Sequence, residues 1–558
     1  MNLLGIWDGH DSGAALLMDG RIVCAINEER LTRRKLEVAF PSRAIEACLH
    51  QGGIGADAIQ QVACATSDIA KTLTRLWPGS KENYYRIRRR LDPPSSSNQI
   101  IKLAKYKITE MPGNRLSRWL SERILYRQLH AMGMTHSGLR LLDHHCCHAA
   151  CAAYGSGFEQ GLILTLDGVG DGLSGSVSLF DRGRLRRIAG IMARDSLGIF
   201  FEHVTTLLHM RELEDEGKVM ALADWTTPIE VTRNPLLDFF RVDGMRVKAR
   251  YHANLLYREL AKVYWRHTSE QFAAMAQQAL ETHTLALVRN ALRETNSSRI
   301  ALAGGLFANV RLNGLIRNLP EVAACHVFPH MGDGGLALGA ALCCHPEPVA
   351  FWPDLYLGPE YTDAQIAQAI RSSGLPARHL EDPIPVAAKL LTDGKIIGWF
   401  QGRMEYGPRA LGGRSVLALP GLPRIREALN LRLKKRSWYQ PFCPSMLDGE
   451  AERLLEDHHH APDRHMTSLY RVRSAFRGAL DGVIGRDGSC RPQMVASDFS
   501  PFSRLLQAIR QQTGLGVLLN TSFNSHGEPL VCSPQDALTA FANMGIDGLV
   551  MGNWILQN

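Results

Sequence analysis

Nowhere in the 558 residues does an apolar run approach the ~18 that a membrane span needs, so no transmembrane helix is expected. No C-x-x-C occurs among the twelve cysteines, and two pairs, Cys146/Cys147 and Cys343/Cys344, are adjacent. That spacing argues against a zinc ribbon or a disulfide framework and for reduced, mostly buried thiols. The N-terminal apolar run meets Asp8, His10 and Asp11 too early for a secretory signal, so the expected location is cytoplasmic. Acid is scarce in one segment: 71–127 has fourteen Lys/Arg against four Asp/Glu, which leaves −2 for the rest of a chain of net charge +8. It contains RIRRR at 86–90 and the loop DPPSSSN at 92–98, interleaved with Tyr84, Tyr85, Tyr106 and Trp119. Such a mixture can hold nucleic acid or an anionic acceptor. Charge runs on helices are ordinarily solvated faces, however, so a basic helical insertion is the preferred reading and nucleic acid is not expected as a partner. Hydrophobic content of 45% and charged content of 21% are ordinary for a soluble globular protein, and the length calls for more than one core.

What is present begins with a ribbon. Residues 3–7, 14–18 and 21–26 read as three strands around a DGHDSG turn and an Asp19-Gly20 hairpin. Residues 161–190 repeat the plan: LILTL, the turn DGVGDG, SGSVSLF, a DRG turn, then RLRRIAG. The N-terminal part therefore looks duplicated, with an acidic glycine-rich turn in each half. Ribbons of this kind resemble the phosphate-binding hairpins of the superfamily of actin, heat-shock chaperone ATPases and sugar kinases.

Between the two ribbons, LLDHHCCHAA (141–150) places His144 and His148 four residues apart. On a helix that spacing puts both imidazoles on one face, where they can share a cation. Imidazole nitrogens suit iron(II), manganese or zinc, and carboxylates from elsewhere would complete an open site. Asp167 and Asp333 are the candidates, each in a glycine-rich turn after an apolar run. Satisfied histidines near a helix start are the alternative. Residues 255–295 carry no glycine or proline and read as one long helical scaffold. A short buried strand at 299–302 then leads into AGGLFANVRLNG, where Gly304 and Gly305 mark either close approach of a nucleotide or tight strand-to-helix packing.

A Pro-rich stretch at 345–354 marks a boundary, and the texture changes beyond it. The strand KIIGWF is followed by QGRMEYGPRALGGRS, with Arg403, Arg409 and Arg414 among glycines; forked guanidiniums suit a planar or phosphorylated anion, and structural ion pairing is the alternative. Lys434, Arg436 and Arg491 add further cations. A final strand, GVLLN, ends in TSFNSHGEP with Asn520, Thr521, Ser522 and Asn524. If these loops converge they form a cationic pocket lined with amides and hydroxyls.

HDSGAALLMDG, LDHHCCHAA, EGKVMALA, AGGLFANVRLNG, HMGDGG, GRMEYGPRALGGRS and LLNTSFNSHGEP, in this order, resemble the O-carbamoyltransferases that decorate nodulation factors and antibiotics, over residues 2–556. The resemblance implies an α/β chain in which a duplicated actin-like, threonylcarbamoyl transferase-like domain (1–350, with 71–127 as the basic insertion) precedes a YrdC-like α/β domain (351–558). It implies that carbamoyl phosphate enters the C-terminal domain and that its carbamate is joined to ATP, supplied with magnesium, releasing pyrophosphate. The carbamoyl-adenylate would then carbamoylate the hydroxyl of a small natural product or glycan in the N-terminal domain. By resemblance Arg409, Lys434 and Arg491 hold the donor, with Asn520 and Ser522 bonding its oxygens and Arg414 a weaker candidate. His144, His148, Asp167 and Asp333 match a metal site for iron(II) or another divalent ion. His10 matches the histidine that takes the acceptor's proton, Lys35 a lysine near the transfer site, and Gly304, Gly305 and Asn309 the adenosine-binding turn. Lys218 matches a motif lysine to which no role is assigned.

Two departures stand before PFCPSM: Ser437 where the family commonly has an acid and Gln440 where it has an arginine. The lost cation would weaken donor binding unless Arg436 or another side chain replaces it. Two other readings compete. A tRNA-modifying threonylcarbamoyl transferase-like enzyme would use the basic segment to grip tRNA. A non-catalytic nucleotide sensor or chaperone-like ATPase would leave the metal quartet and the second cationic pocket without a purpose. The oligomeric state is open, a homodimer included.

Overall fold

The computed structural model describes residues 1–91, 108–345, 351–352, 354–458 and 462–558. The loop at 92–98, Tyr106 and most of the Pro-rich stretch lie outside the described residues. The chain folds as two units: Met1–Glu28 with Leu36–Pro353, and Glu29–Lys35 with Asp354–Asn558. No helix among the described residues is long and apolar enough to cross a membrane.

The first unit holds two five-stranded mixed sheets. β1 (Asn2–Trp7), β2 (Gly13–Met18) and β3 (Arg21–Asn27) form an antiparallel meander. β4 (Gln61–Ala65) and β5 (Gly138–Leu142) lie parallel beside β1, giving the order β3-β2-β1-β4-β5. The second sheet is built from β6 (Gln160–Gly170), β7 (Leu173–Asp181) and β8 (Arg184–Met192). A separate hairpin, β9 (Phe240–Asp243) and β10 (Arg246–Ala249), follows before β11 (Arg299–Ala303) and β12 (Ala324–Val327) complete that sheet. Its order, β12-β11-β6-β7-β8, repeats the order and sense of the first. Each sheet has an Asp-Gly hairpin turn, Asp19-Gly20 and Asp171-Gly172, with φ of 47°, 74°, 49° and 82°, the conformation whose twist matches paired strands.

The stretch expected as one helix over 255–295 is two, Ala253–Tyr264 and Ser269–Thr295. Thr268 starts the second with a capping box: its Oγ1 accepts from the Gln271 N–H at 3.3 Å while Gln271 Oε1 accepts from the Thr268 N–H at 3.2 Å. A T-x-x-Q box restarts a helix without glycine or proline, which is why composition hid the break.

The basic segment is solvated at Arg86, Arg90, Arg115, Arg118, Arg123 and Arg127, but not at its start. Helices Ile69–Leu76 and Pro78–Arg88 turn Lys71, Arg75 and Lys81 inward onto Asp8, whose side chain is fully buried. Arg75 is bidentate, Nε to Oδ2 at 3.0 Å and Nη2 to Oδ1 at 2.9 Å; Lys71 and Lys81 each lie 3.0 Å from one oxygen. Burial opposes the Asp8 charge, and the three cations overcome it, holding the carboxyl well below the usual range. Lys71 is in turn pushed down to about 8, by burial despite Asp8.

The second unit is one eight-stranded mixed sheet, ordered β13-β22-β21-β14-β15-β20-β16-β19. Its strands are β13 (Arg378–His379), β14 (Ile397–Phe400), β15 (Arg414–Ala418), β16 (Cys443–Leu447), β19 (Gln493–Val495), β20 (Val517–Ser522), β21 (Gly548–Met551) and β22 (Trp554–Gln557), while β17 (Tyr470–Arg471) and β18 (Ser489–Cys490) pair separately. Side chains alternate between two cores: Trp399, Leu417 and Val550 pack with helices Ile384–Thr392 and Pro501–Thr513, and Phe400, Val416 and Leu549 with Asp363–Ser373 and Pro534–Met544. β20 is not the final strand. β21 and β22, four residues each and turning at Gly552, follow it, and β21 pairs with β14. The strap Glu29–Lys35 is held to this unit by Arg33, which donates to the Leu530 and Pro529 carbonyls at 2.6 and 2.8 Å, and by Arg30, which donates to the Gly407 carbonyl at 2.9 Å.

Replacing Asp8 with Asn leaves three buried cations facing one another. The expected outcome is a loss of roughly 3–5 kcal/mol in the first unit, read as accelerated amide exchange across β1 and β4 and a lower thermal midpoint; exchange like that of the unaltered protein contradicts it.

Candidate functional site

The helix His144–Gly155 begins where β5 ends. Asp143 caps it, accepting from the Cys146 N–H at 2.8 Å, and the spacing brings the His144 and His148 rings to 4.8 Å between centroids. His145 turns away to Thr165 Oγ1 at 3.0 Å. Asp167 lies on β6 at a register irregularity, and Asp333 opens a short turn after β12. One ligand atom from each of His144, His148, Asp167 and Asp333 lies within 4.8 Å of the others. His144 Nε2 is 3.1 Å from Asp167 Oδ2 and 3.5 Å from Asp333 Oδ1; for His148 Nε2 the distances are 3.4 and 3.5 Å.

His144 is aimed by its surroundings. Its Nδ1 meets Thr66 Oγ1 at 3.1 Å, and its backbone N–H donates to Asp171 Oδ2 at 2.9 Å. The ring fits because residue 170 is glycine: a Cβ there would lie 2.2 Å from His144 Cγ. Burial pulls the His144 imidazole down, and Asp333 and Asp167 more than reverse it, to about 9. Burial likewise opposes ionisation of Asp167, and the His144 and His148 imidazoles beside it hold it well below the usual range. The cluster is thus a buried hollow in which two carboxylates meet two imidazoles, a donor set that could hold a divalent cation.

His10 is at its edge, with Nε2 3.1 Å from Asp333 Oδ2 and Nδ1 3.8 Å from Asp11 Oδ2. Trp7 fixes it, donating from Nε1 to the His10 carbonyl at 2.7 Å. Gly304 takes φ of 104° with its Cβ position 2.2 Å from the Leu166 carbonyl oxygen, and the Gly305 N–H donates to Asp167 Oδ1 at 3.1 Å. Those two glycines therefore serve strand packing and the Asp167 carboxylate. Asn309 is committed to structure: Oδ1 caps the Leu312 N–H at 3.1 Å and Nδ2 donates to Gln277 Oε1 at 2.8 Å. Lys218 pairs with Asp215 at 2.8 Å.

In the second unit the guanidiniums of the glycine-rich loop divide. Arg403 donates to the Gly358 and Leu357 carbonyls at 3.0 and 2.7 Å. Arg414 is fully buried, its Nη1 donating to the carbonyls of Gln401, Gly402 and Gly413 at 3.0 to 3.1 Å. Both belong to the scaffold. Arg409 differs, since its Nε is buried with no hydrogen-bond partner. The adjacent Ala410 carbonyl accepts from Asn520 Nδ2 at 3.1 Å, while Asn520 Oδ1 is also unpartnered. Asn520 pairs in register with Cys443, whose Sγ takes bonds from Arg491 at 3.1 and 2.8 Å. Lys434 bonds to the Ser522 carbonyl and reaches Ser522 Oγ at 3.3 Å and Asn524 Oδ1 at 3.1 Å. Burial, then Arg491, presses against the charge on Arg409; burial, then Arg436 and Lys35, presses against that on Lys434. Lys35 thus acts on the second unit, to which its strap belongs. A guanidinium does not shed its proton to relieve such crowding, so an anion is what the pocket favours.

Two family models match the chain, the carbamoyltransferase N-terminus over residues 2–342 and the carbamoyltransferase C-terminus over 388–558. The chain belongs to the carbamoyltransferase family. This carbamoyltransferase is 31% identical over 572 residues to the nodulation protein NolNO of Sinorhizobium fredii, covering 98% of the chain and 79% of that protein. It is 31% identical over 352 residues to the 3'-hydroxymethylcephem-O-carbamoyltransferase of Amycolatopsis lactamdurans, covering 61% of the chain and 64% of that enzyme. An uncharacterised protein of Methanocaldococcus jannaschii is 33% identical over 449 residues, 75% of this chain and 73% of that one. Among solved structures, HypF of T. kodakarensis aligns with a TM-score of 0.35 at 13% identity over 61% of the carbamoyltransferase, which spans about half (47%) of the HypF chain.

Sequence reading missed Thr66, Asp171 and Gly170, which aim His144, and Glu405, whose Oε1 accepts from the N–H groups of Leu411, Gly413 and Arg414 at 2.8 to 3.0 Å and so shapes the loop carrying Arg409. The acid at Glu405, seven residues before a glycine pair, was the available signal for the last. The split between scaffold and pocket arginines is measurable. Arg414→Gln strands buried carbonyls and is expected to cost the carbamoyltransferase roughly 3–5 kcal/mol. Arg409→Gln removes one of several crowded like charges and is expected to leave the thermal midpoint unchanged or raised; equal losses in both variants contradict the division.

Proposed function

We propose that this carbamoyltransferase is an ATP-dependent O-carbamoyltransferase that forms carbamoyl-adenylate in its second unit and passes the carbamoyl group to the hydroxyl of a small natural product or glycan in its first. The observation that carries the reading is the pocket of Arg409, Lys434 and Arg491, cations crowded together with buried polar atoms left unpartnered. The family membership and the named activity of the cephem relative support the carbamoyl part.

In the donor half, carbamoyl phosphate is split by water to carbamate and inorganic phosphate. A carbamate oxygen then attacks the α-phosphorus of ATP, and pyrophosphate leaves. Arg409, Lys434 and Arg491 hold the donor's phosphate and neutralise charge as the P–O bonds break. Asn520 and Ser522 orient the carbamoyl group, Asn520 through the oxygen that has no protein donor. The mixed anhydride makes a weak carbamoyl electrophile reactive by giving it AMP as leaving group.

In the transfer half, the acceptor hydroxyl oxygen attacks the carbamoyl carbon, AMP departs, and His10 takes the hydroxyl proton. The quartet His144, His148, Asp167 and Asp333 suits iron(II) or another divalent metal: two imidazoles and two carboxylates converge, and His148 Nε2 is buried with no hydrogen-bond partner. A divalent ion held there supplies Lewis acidity and a counter-charge for nucleotide phosphate, with magnesium accompanying ATP.

The deciding experiment is carbamoyl-phosphate-dependent release of pyrophosphate from ATP, with iron(II) or magnesium present and no acceptor. Release is expected, with loss of at least a hundredfold in Arg409→Gln; its absence from folded, metal-loaded protein overturns the donor half. His144→Ala and Asp333→Ala are expected to lose bound divalent metal and transfer to 3'-hydroxymethylcephem or another hydroxylated acceptor while keeping pyrophosphate release. Full transfer by a metal-free variant removes the site assignment. Saturating inorganic phosphate, at about a hundredfold above its Kd, should stabilise the folded state by about 2.7 kcal/mol; an unmoved thermal midpoint contradicts an anion pocket.

A further inference from the structure

The cations of the second unit include one that no step above uses. Arg436 follows the π-helical turn Ala428–Leu433 and is fixed on two sides. Its Nε donates to Asn430 Oδ1 at 2.7 Å, its backbone N–H donates to the Asn430 carbonyl at 3.0 Å, and its guanidinium lies over the Phe442 ring at 4.2 Å. Asn430 is itself anchored, donating from Nδ2 to the carbonyls of Trp438 and Gln440 at 3.2 and 3.0 Å. An arginine held this way loses little rotamer freedom on binding, so its remaining fork is pre-organised.

One arm of the remaining fork has no protein partner. Nη2 of Arg436 is buried and has no hydrogen-bond partner. No carboxylate offsets the guanidinium: after burial itself, the groups that act on it are the Cys443 thiol and Arg491, another cation. Arg436 in turn acts on Lys434. A buried guanidinium among like charges with an unmade bond is costly. Arg403 and Arg414, in the same unit, show that the chain satisfies arginines with backbone carbonyls where it uses them as scaffold.

We propose that Arg436 is a direct ligand of the phosphate group of carbamoyl phosphate, with Nη2 donating to a phosphate oxygen beside Arg409, Lys434 and Arg491. The inference rests on the reading of the second unit as the donor pocket. The same chemistry would suit the α-phosphate of ATP, and separate titrations of the two substrates tell the sources apart.

The test uses the full-length protein and the variants Arg436→Met, which keeps an apolar stem on Phe442, and Arg436→Lys, which keeps the charge without the fork. Pyrophosphate release is followed against carbamoyl phosphate and against ATP, and calorimetric binding of carbamoyl phosphate and of inorganic phosphate is measured in parallel. Arg436→Met is expected to raise the KM and the Kd for carbamoyl phosphate about tenfold to a hundredfold. Its KM for ATP should stay within twofold even where its thermal midpoint falls through the Asn430 oxygen it strands; Arg436→Lys should lie between. An unchanged KM and Kd for carbamoyl phosphate, or an effect confined to ATP, overturns the assignment. If a lowered thermal midpoint accompanies an equal loss against both substrates, the residue is structural and the proposal fails. Wild-type protein that binds carbamoyl phosphate without releasing pyrophosphate would sink the adenylation step alone, the variants' Kd still deciding for or against Arg436. Wild-type protein that binds neither anion removes the donor pocket and this inference together.

Discussion

The first unit turns on a single electrostatic problem, two carboxylates and two imidazoles brought within 4.8 Å of one another in a largely buried place. Like charges buried at that range stay ionised only if something positive joins them, whether a proton on His144 or a metal ion. The surrounding architecture serves that convergence. One helix supplies both imidazoles at one-turn spacing, and the two carboxylates come from separate chain segments, one on β6 and one in a turn after β12. Thr66 sits just past β4, Asp171 in the β6–β7 hairpin and Gly170 at the end of β6; together they fix the His144 ring from three directions. The absence of a side chain at Gly170 is as much a part of the site as the ligands.

Positive charge in this chain meets three fates, and the differences are informative. Lys71, Arg75 and Lys81 are spent on one carboxylate, Asp8, and pin two helices to the end of β1. Arg403 and Arg414 are spent on carbonyls and shape a loop. Arg409 and Arg436 are half-buried, and each keeps one buried nitrogen without a hydrogen-bond partner. Arg88 and Arg426 also keep such a nitrogen, so what sets the third group apart is that its members crowd one another: Arg491 acts on both Arg409 and Arg436, and Arg436 acts on Lys434.

Much of this was legible in the sequence, and what was not has a common cause. The hairpins were readable because Asp-Gly between alternating apolar runs is a local signal, and β1, β2, β3, β7 and β8 lie where the pattern puts them. The two histidines were readable because helical spacing is local as well. That Asp167 and Asp333 join them came from motif resemblance, since nothing in local chemistry links positions 148 and 333. The Asp8 network was invisible for the same reason: 63 residues separate Asp8 from Lys71, and a run of cations reads as solvated until a buried acid is found for it. The break before Ser269 was missed through attention to glycine and proline while a T-x-x-Q box went unweighed, and β21 and β22 were missed because four-residue strands carry too little pattern to stand out. The strap Glu29–Lys35 illustrates the limit most clearly, because seven residues flanked on both sides by the first unit fold with the second, held there by Arg30 and Arg33 on carbonyls more than 370 residues away.

The Asp8 network also bears on where a nucleotide can be anchored. An acidic glycine-rich turn is ordinarily free to hold the cation that accompanies phosphate, and DGHDSG has the composition for it. Both oxygens of Asp8 are taken, however, by Arg75 together with Lys71 and Lys81 at 2.9 to 3.0 Å, in a place closed to water. A metal ion would have to displace three cations at once, against charge repulsion, to use that carboxylate. Asp11 lies beside His10, and Asn309 donates to Gln277. The two imidazoles and two carboxylates of the quartet face no such trio of cations, and they are the donor set in this unit that a divalent ion could join.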